Sequence, residues 1–245
     1  MKVSRRQRVR RAMTLISLLL FPVTMNWLSP YVSLDGAMAG VVSGSVIVFA
    51  ALFIISIFFG RAWCAWVCPM AGLSDISIRV NGKRVNAKKL RIVRYTLFTL
   101  WFGFLAAGFV LAGGIKGIDP LHLTESGISV DEPMKYVVYY GVLAIFIVLT
   151  FSIGRRGACH SICWMAPFMA AGYTVGRLLK IRQLRVTADS SKCTSCGTCS
   201  RNCPMSIDVQ GCVKAGKVIT SDCILCGECV DSCPKSALAY KVTKL

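Results

Sequence analysis

Residues 193 to 204 read CTSCGTCSRNCP, and residues 223 to 234 read CILCGECVDSCP. Both segments have the spacing C-x2-C-x2-C-x3-C-P, and thirty positions separate each cysteine of the first from its equivalent in the second. A glycine follows the second cysteine in both segments, at Gly197 and Gly227. Residues 189–245 are more polar than the preceding chain and carry nine of its thirteen cysteines. The sequence therefore predicts a separate cysteine-rich unit built from two copies of one motif.

This spacing is the one that binds [4Fe-4S] clusters in bacterial two-cluster ferredoxins. Three thiolates hold one cluster, and the fourth reaches across to the other cluster of the pair. We therefore predict two crossed ligand sets, namely Cys193, Cys196, Cys199 and Cys233 for the first cluster, and Cys223, Cys226, Cys229 and Cys203 for the second. A cytoplasmic location disfavours disulfides, and zinc sites use cysteine pairs rather than two four-cysteine runs. Residues 189–245 are thus expected to form a small α+β ferredoxin-like domain that passes single electrons.

Four long uncharged stretches precede this domain, at residues 12–34, 36–60, 95–115 and 136–154. Each has 19 to 25 residues, enough for a helix rising about 1.5 Å per residue to cross a hydrocarbon core of about 30 Å. A buried core helix could account for one such run, but four in succession favour transmembrane helices. A fifth uncharged stretch, 157–176, contains Pro167 and several glycines, which predicts a broken helix at the membrane edge. Residues 1–188 are therefore expected to form an α-helical membrane domain.

Basic residues fall at alternate ends of the expected spans. Six Lys and Arg precede the first span, eight lie in 61–94 and seven in 155–192, whereas residues 116–135 hold two lysines against four acidic residues. Because basic residues stay on the cytoplasmic side, we expect a multi-pass protein of a bacterial or archaeal cytoplasmic (inner) membrane, with the N-terminus and ferredoxin-like domain in the cytoplasm. The formal charge of +18 then reflects orientation and contact with membrane lipid. No basic face alternates with aromatic residues, so nucleic acid is not an expected partner.

The membrane domain contains an internal duplication. Residues 59–72, FGRAWCAWVCPMAG, are similar to residues 153–169, IGRRGACHSICWMAPFM. In both halves an apolar stretch leads to Gly-Arg, then Cys-x3-Cys, then Met-Ala, which places equivalent membrane-edge segments at 61–78 and 157–179.

Cysteines four residues apart share one face of a helix. The duplicated halves can therefore bring together the four cysteines of the membrane domain, Cys64, Cys68, Cys159 and Cys163. Four convergent thiolates can hold an additional iron-sulfur cluster or a metal ion. A redox dithiol pair and simple packing of small apolar side chains are the alternatives. His160, inside the second pair, is a candidate ligand, proton acceptor or hydrogen-bonded structural residue.

With these motifs, the chain resembles the NapH/MauN-type membrane ferredoxin family over nearly its whole length. One departure is Trp164, which follows the second cysteine pair where the family usually has proline. The resemblance implies electron transfer between the quinone pool or a membrane partner and a redox partner protein. It further implies a non-catalytic or quinol-oxidising subunit of a respiratory oxidoreductase complex, such as the membrane component of a quinol dehydrogenase, with quinone as a substrate.

The membrane-edge cysteines also raise a hypothesis of a different class. In this alternative the protein is a redox assembly or maturation factor that reduces a metal ion or a thiol for another membrane metalloenzyme. A signalling role is disfavoured because no recognisable sensor, kinase or DNA-binding segment accompanies these motifs.

Overall fold

The computed structural model describes residues 3–124 and 127–244. Its helices are α1 (Arg5–Leu19), α2 (Phe21–Thr24), α3 (Pro30–Ala39), α4 (Gly44–Phe59), α5 (Trp63–Trp66), α6 (Pro69–Ser77), α7 (Ala87–Leu111), α8 (Pro133–Ile153), α9 (Gly157–Ser161), α10 (Met165–Leu178), α11 (Thr198–Arg201), α12 (Val209–Lys214) and α13 (Glu228–Asp231). Its strands are β1 (Val41–Ser43), β2 (Gly117–Asp119), β3 (Gln183–Ala188) and β4 (Leu238–Thr243). β1 pairs in parallel with β2, and β3 pairs antiparallel with β4. The chain is thus mostly helical, with a small α+β unit at its C-terminal end.

Within the described residues, two helices are long and apolar enough to cross a membrane, α7 with 25 residues and α8 with 21. They overlap the spans predicted at 95–115 and 136–154. Only 17% and 11% of the residues in their most apolar windows are buried, whereas a core helix of a soluble protein would be mostly buried. α4 is also apolar, but it has 16 residues. Two candidate spans are therefore present, and four transmembrane helices are not confirmed.

The first two predicted spans have wrong boundaries, because neither stretch is one continuous helix. Within 12–34, Pro22 lies at the start of α2 and Pro30 at the start of α3. Proline fixes φ and lacks an N–H, so it starts a helix more readily than it continues one. Within 36–60, the chain leaves α3 at Gly40, whose φ of 77° is left-handed, and passes through β1 before α4 begins.

The duplicated halves have equivalent local structures. A short helix followed by a longer one comes after α4 as α5 and α6, and after α8 as α9 and α10. In the first half Pro69 begins α6. In the second half Trp164 precedes α10, and its indole Nε1 donates a hydrogen bond to the Leu28 carbonyl oxygen at 3.0 Å. The second half therefore keeps the break between its helices without the proline.

α10 packs closely against α4 through two glycines. A Cβ atom on Gly172 would lie 2.3 Å from the Phe53 carbonyl oxygen, and one on Gly176 would lie 2.4 Å from the Ile57 carbonyl oxygen. Small residues four apart allow two helix backbones to approach this closely. Residues 157–176 thus form two helices, α9 and α10, as a broken helix would, but the break falls before Met165 and both glycines lie inside α10.

The two four-cysteine runs of the C-terminal unit share one backbone conformation. Positive φ angles recur at positions thirty residues apart, in the pairs Ser195 and Leu225, Gly197 and Gly227, and Ser206 and Ser236. Each run contains a one-turn helix, α11 in the first run and α13 in the second. The repeat in the sequence is therefore also a repeat in the structure.

We predict that Gly172→Ala destabilises the protein by about 1–3 kcal/mol, because the added methyl group forces α10 away from the backbone of α4. Thermal unfolding of the detergent-solubilised protein measures the effect. Gly103→Ala on α7 is the matched control, since a Cβ atom there would meet nothing within 4 Å. Equal unfolding temperatures for the two variants would contradict close packing at Gly172.

Candidate functional site

The two predicted ligand sets of the C-terminal unit surround two separate cavities. The outer cavity is lined by the cysteines of the first set, Cys193, Cys196, Cys199 and Cys233. The inner cavity is lined by those of the second set, Cys203, Cys223, Cys226 and Cys229. Cys196 is exposed, whereas Cys203 and Cys226 are buried. The fold thus groups the cysteines as the crossed pattern predicts, and the outer group is closer to solvent.

The four cysteines of the membrane domain line a third cavity, here called the membrane-edge cavity. Cys64, Cys68, Cys159 and Cys163 are 6–9% exposed. The cavity has a volume of about 80 Å³, several times the roughly 10–15 Å³ that one water molecule needs. Among the residues that the structure describes, no three His, Cys, Asp or Glu side chains lie close enough to hold a single metal ion. The two duplicated halves therefore meet around a cavity that can contain a polyatomic group.

Three thiols of the membrane-edge cavity, those of Cys68, Cys159 and Cys163, have raised pKa values. Burial, followed by the neighbouring thiols, raises the pKa of Cys163 to about 12. Burial is also the main cause of the raised pKa values of Cys68 and Cys159. Reactive dithiols have lowered pKa values instead, and coordination to a metal deprotonates a thiol outright. This environment therefore differs from that of a free redox dithiol.

Two arginines that sequence analysis did not single out line the same cavity. Arg61 and Arg156 lie three residues before Cys64 and Cys159, and each is 1% exposed. Arg61 Nη2 lies 4.0 Å from the Cys64 sulfur, and Arg156 Nη1 donates to the Cys64 carbonyl oxygen at 2.9 Å. The Nε groups of both arginines are buried without a hydrogen-bond partner in the described part of the chain. The signal that could have identified these two residues was the arginine three positions before the first cysteine of each duplicated pair.

Asp222 connects the C-terminal unit to the preceding helical part of the chain. Its carboxylate accepts hydrogen bonds from Arg94 at 3.1 Å and Arg61 at 3.5 Å, and it also pairs with Arg91. Burial alone would raise the pKa of Asp222, but these three arginines outweigh it and lower the pKa. Because the next residue is Cys223, the ion pairs fix the inner cavity against α7 and the chain before α5.

Asp75 on α6 joins a second ionic network. It accepts a hydrogen bond from Arg156 at 2.8 Å and pairs with Arg10 of α1. Arg10 also pairs with Glu228 of α13 at 3.1 Å, and Gln7 donates to the Cys226 carbonyl oxygen at 2.9 Å. Burial acts to raise the pKa of Asp75, but Arg156 and Arg10 lower it overall. The N-terminal helix is thus held against the C-terminal unit.

The inner and membrane-edge cavities share part of their lining. Met205 and Ile224, which are 1% and 2% exposed, line both. Trp66, between Cys64 and Cys68, also donates from its indole Nε1 to the Leu225 carbonyl oxygen at 3.1 Å. One layer of side chains therefore separates these two cavities.

His160 does not line the membrane-edge cavity. It is 1% exposed, and its Nε2 has no hydrogen-bond partner among the described residues. Burial, followed by the charge of Arg61, lowers the pKa of His160 to about 3. The imidazole is therefore neutral, and the charged groups beside the cavity are the arginines.

Comparisons with known proteins agree with the cysteine motifs. Residues 43–88 match the family model of a 4Fe-4S binding domain, and residues 192–238 match that of a 4Fe-4S dicluster domain. The methylamine utilization ferredoxin-type protein MauN of Methylorubrum extorquens is 27% identical over 179 residues, covering 71% of this chain and 59% of that protein. The putative electron transport protein YccM of Escherichia coli is 25% identical over 199 residues, covering 77% of this chain and 54% of that protein. No solved structure matches the chain.

The motifs and these relatives define a ferredoxin-type iron-sulfur electron-transfer protein. These matches support the resemblance to the MauN/NapH-type ferredoxin family that was inferred from the sequence. The chain spans less than two thirds of the length of these relatives, 59% and 54%.

We predict that Asp222→Asn destabilises the protein by about 3–5 kcal/mol, because it leaves Arg61 and Arg94 buried beside an uncharged side chain. Thermal unfolding of the purified protein measures the change. The control is Asp189→Asn, which removes an exposed carboxylate paired with Lys192 at 3.2 Å and should change stability little. A similarly small effect of Asp222→Asn would show that its ion pairs do not hold the two parts together.

Proposed function

We propose that this protein is a membrane-anchored electron-transfer subunit that relays single electrons between the quinone pool or a membrane partner and a redox partner protein. Within a respiratory complex it would be the membrane component of a quinol dehydrogenase. The observation that carries the proposal is the presence of three cysteine-lined cavities, which range from the buried membrane-edge cavity to the outer cavity with the exposed Cys196. Iron-sulfur clusters supply one-electron transfer at potentials set by their surroundings.

In this proposal, residues 189–245 are a ferredoxin-like domain with two [4Fe-4S] clusters. The ligands are those of the outer cavity, Cys193, Cys196, Cys199 and Cys233, and those of the inner cavity, Cys203, Cys223, Cys226 and Cys229. Gly197 and Gly227 have φ angles of 72° and 80°, a left-handed conformation that glycine adopts without steric cost. These glycines turn each ligand loop so that its first three cysteines face one cavity, while the fourth lines the other. The donor set and the cavities therefore fit the two clusters.

The membrane-edge cysteines are assigned a further iron-sulfur centre. Residues 43–88, which match a 4Fe-4S binding domain, contain Cys64 and Cys68. The equivalent residues of the second half, Cys159 and Cys163, line the same cavity. Four buried sulfurs that meet from two duplicated halves provide a complete donor set for one cluster.

The anchor is assigned to residues 1–188. α7 and α8 expose apolar side chains along most of their length, including Phe104 at 68% and Val137 at 66%. Such surfaces suit contact with lipid. The basic segments then place the ferredoxin-like domain on the cytoplasmic side.

The outer cavity and the membrane-edge cavity suit different partners. The outer cavity is lined by the exposed Cys196 and by Lys192 and Lys235, so a redox partner protein can approach it from the cytoplasm. The membrane-edge cavity lies beside the helices that face lipid, which suits exchange with quinol or a membrane subunit.

Burial argues against the alternative of a maturation factor. Such a factor would present its reactive thiols to a client protein or metal ion. The four membrane-edge cysteines are instead 6–9% exposed and are covered by the ferredoxin-like domain through Met205 and Ile224.

Iron and acid-labile sulfide analysis tests the number of clusters. We predict about twelve iron atoms per chain, as expected for three [4Fe-4S] clusters. Combined replacement of Cys64, Cys68, Cys159 and Cys163 by serine should lower this to about eight and leave the EPR signals of the other two clusters in place. Cys212→Ser is the control, since Cys212 lines none of the three cavities. About eight iron atoms in both the wild type and the quadruple variant would refute the third centre.

Reconstitution in liposomes tests the quinone assignment. Addition of a quinol should reduce the clusters of the wild-type protein, as followed by EPR. The quadruple serine variant should lose this reduction, while dithionite still reduces its two remaining clusters. Quinol reduction at the wild-type rate in that variant would exclude the membrane-edge cysteines from the path. Failure of the wild type to react with quinol or quinone would leave a relay between proteins only.

A further inference from the structure

The ionic network beside the membrane-edge cavity contains more positive than negative side chains. Four of its arginines, Arg10, Arg61, Arg94 and Arg156, are at most 2% exposed. In the described part of the chain, their carboxylate partners are Asp75, Asp222 and Glu228. Two of these carboxylates are shared with more exposed cations, because Asp222 also pairs with Arg91 and Glu228 with Arg11. Six arginines therefore share three carboxylates.

A buried cation is strongly unfavourable unless negative charge lies nearby. Arg61 and Arg156 are the two of these arginines that line the cavity. The nearest Asp222 oxygen lies 3.5 Å from Arg61, and the Cys64 sulfur lies 4.0 Å from it. Both Nε groups lack a partner in the described residues. Arg156 pairs with Asp75 at 2.8 Å, but Asp75 is shared with Arg10, as Asp222 is shared among three arginines. A network with an excess of positive side chains thus reaches the place where the four cysteines meet.

We propose that Arg61 and Arg156 are a matched pair of positioning residues that hold an anionic, four-thiolate iron-sulfur cluster in the membrane-edge cavity. The inference rests on the proposed function. It adds that the cluster in the membrane-edge cavity is anionic and names the two arginines that balance its charge. An oxidised [4Fe-4S] cluster with four thiolates carries about two negative charges. Two guanidinium groups, one from each duplicated half, match that charge.

The same charge balance separates the alternatives for these cysteines. Protonated thiols, whether packed or forming a reduced dithiol pair, are neutral and would leave the excess of arginines over carboxylates in the network unbalanced. A disulfide is neutral as well. An anionic metal-thiolate centre reduces that excess, and the iron content distinguishes a cluster from a single ion.

The arginines should also set the reduction potential of the cluster. Reduction adds one negative charge, which nearby positive charge stabilises. Removing one guanidinium charge therefore lowers the reduction potential. A lysine at the same position keeps the positive charge and so largely keeps the wild-type potential. If the arginine only filled space, substitution by lysine and by the neutral glutamine would change the reduction potential equally.

The test uses the full chain in detergent, with EPR-monitored redox titration and iron analysis. We expect Arg61→Gln and Arg156→Gln to lower the midpoint potential of the membrane-edge cluster, or to lose that cluster and about four iron atoms per chain. Arg61→Lys and Arg156→Lys should keep the iron and a potential near that of the wild type. The matched control is Arg91→Gln, because Arg91 pairs with the same Asp222 but is 41% exposed and does not line the cavity.

Several outcomes would overturn the inference. One is that both glutamine variants keep the iron content and the midpoint potential of the wild type. Another is that the lysine variants lose as much iron or potential as the glutamine variants. A third is that this site holds one metal ion per chain in place of a cluster. If a glutamine variant fails to fold, the EPR signals of the two other clusters are lost as well. The iron content and midpoint potential of the lysine variant at the same position then provide the test. A wild-type protein with only about eight iron atoms would instead refute the third centre itself, which separates failure of the proposed function from failure of this charge assignment.

Discussion

Positive charge that is removed from water must have negative charge beside it, and this constraint organises the centre of the molecule. Asp222 of the ferredoxin-like unit is surrounded by arginines from the membrane domain, and Asp75 of the membrane domain joins Arg156 to Arg10. These pairs link segments more than sixty residues apart in the sequence. Because removing one partner of a buried ion pair is strongly destabilising, the ferredoxin-like unit is fixed in one position on the membrane domain.

That position brings two cysteine groups together. Asp222 precedes Cys223, and Arg61 precedes Cys64 by three residues, so the ion pair between them holds one ligand loop against the other. Met205 and Ile224 then form the layer between the inner and membrane-edge cavities. The same ionic contacts that hold the two parts together therefore also set the spacing of the proposed centres.

Sequence reasoning was most informative where the relevant signal is local. The spacing of the eight ferredoxin-type cysteines groups them as the fold does, because the 2-2-3 spacing itself determines which thiols a short loop can bring together. The duplication likewise predicted the grouping of Cys64 with Cys159. The buried arginines were not predicted, because their partners lie far away in the sequence and a charged residue beside a span has an ordinary explanation in membrane orientation. The first two spans were misplaced because the absence of charge alone does not locate helix boundaries, and Pro22, Pro30 and Gly40 introduce turns within both uncharged stretches.

The central claim is that three iron-sulfur centres lie in one row that crosses the junction between the two parts. Anomalous diffraction at the iron absorption edge, from crystals of the full chain, tests it most directly. The account predicts three iron peaks, with one bounded by Cys64, Cys68, Cys159 and Cys163 and separated from the next by Met205 and Ile224. Two peaks, both within the ferredoxin-like unit and none among the membrane-edge cysteines, would contradict it.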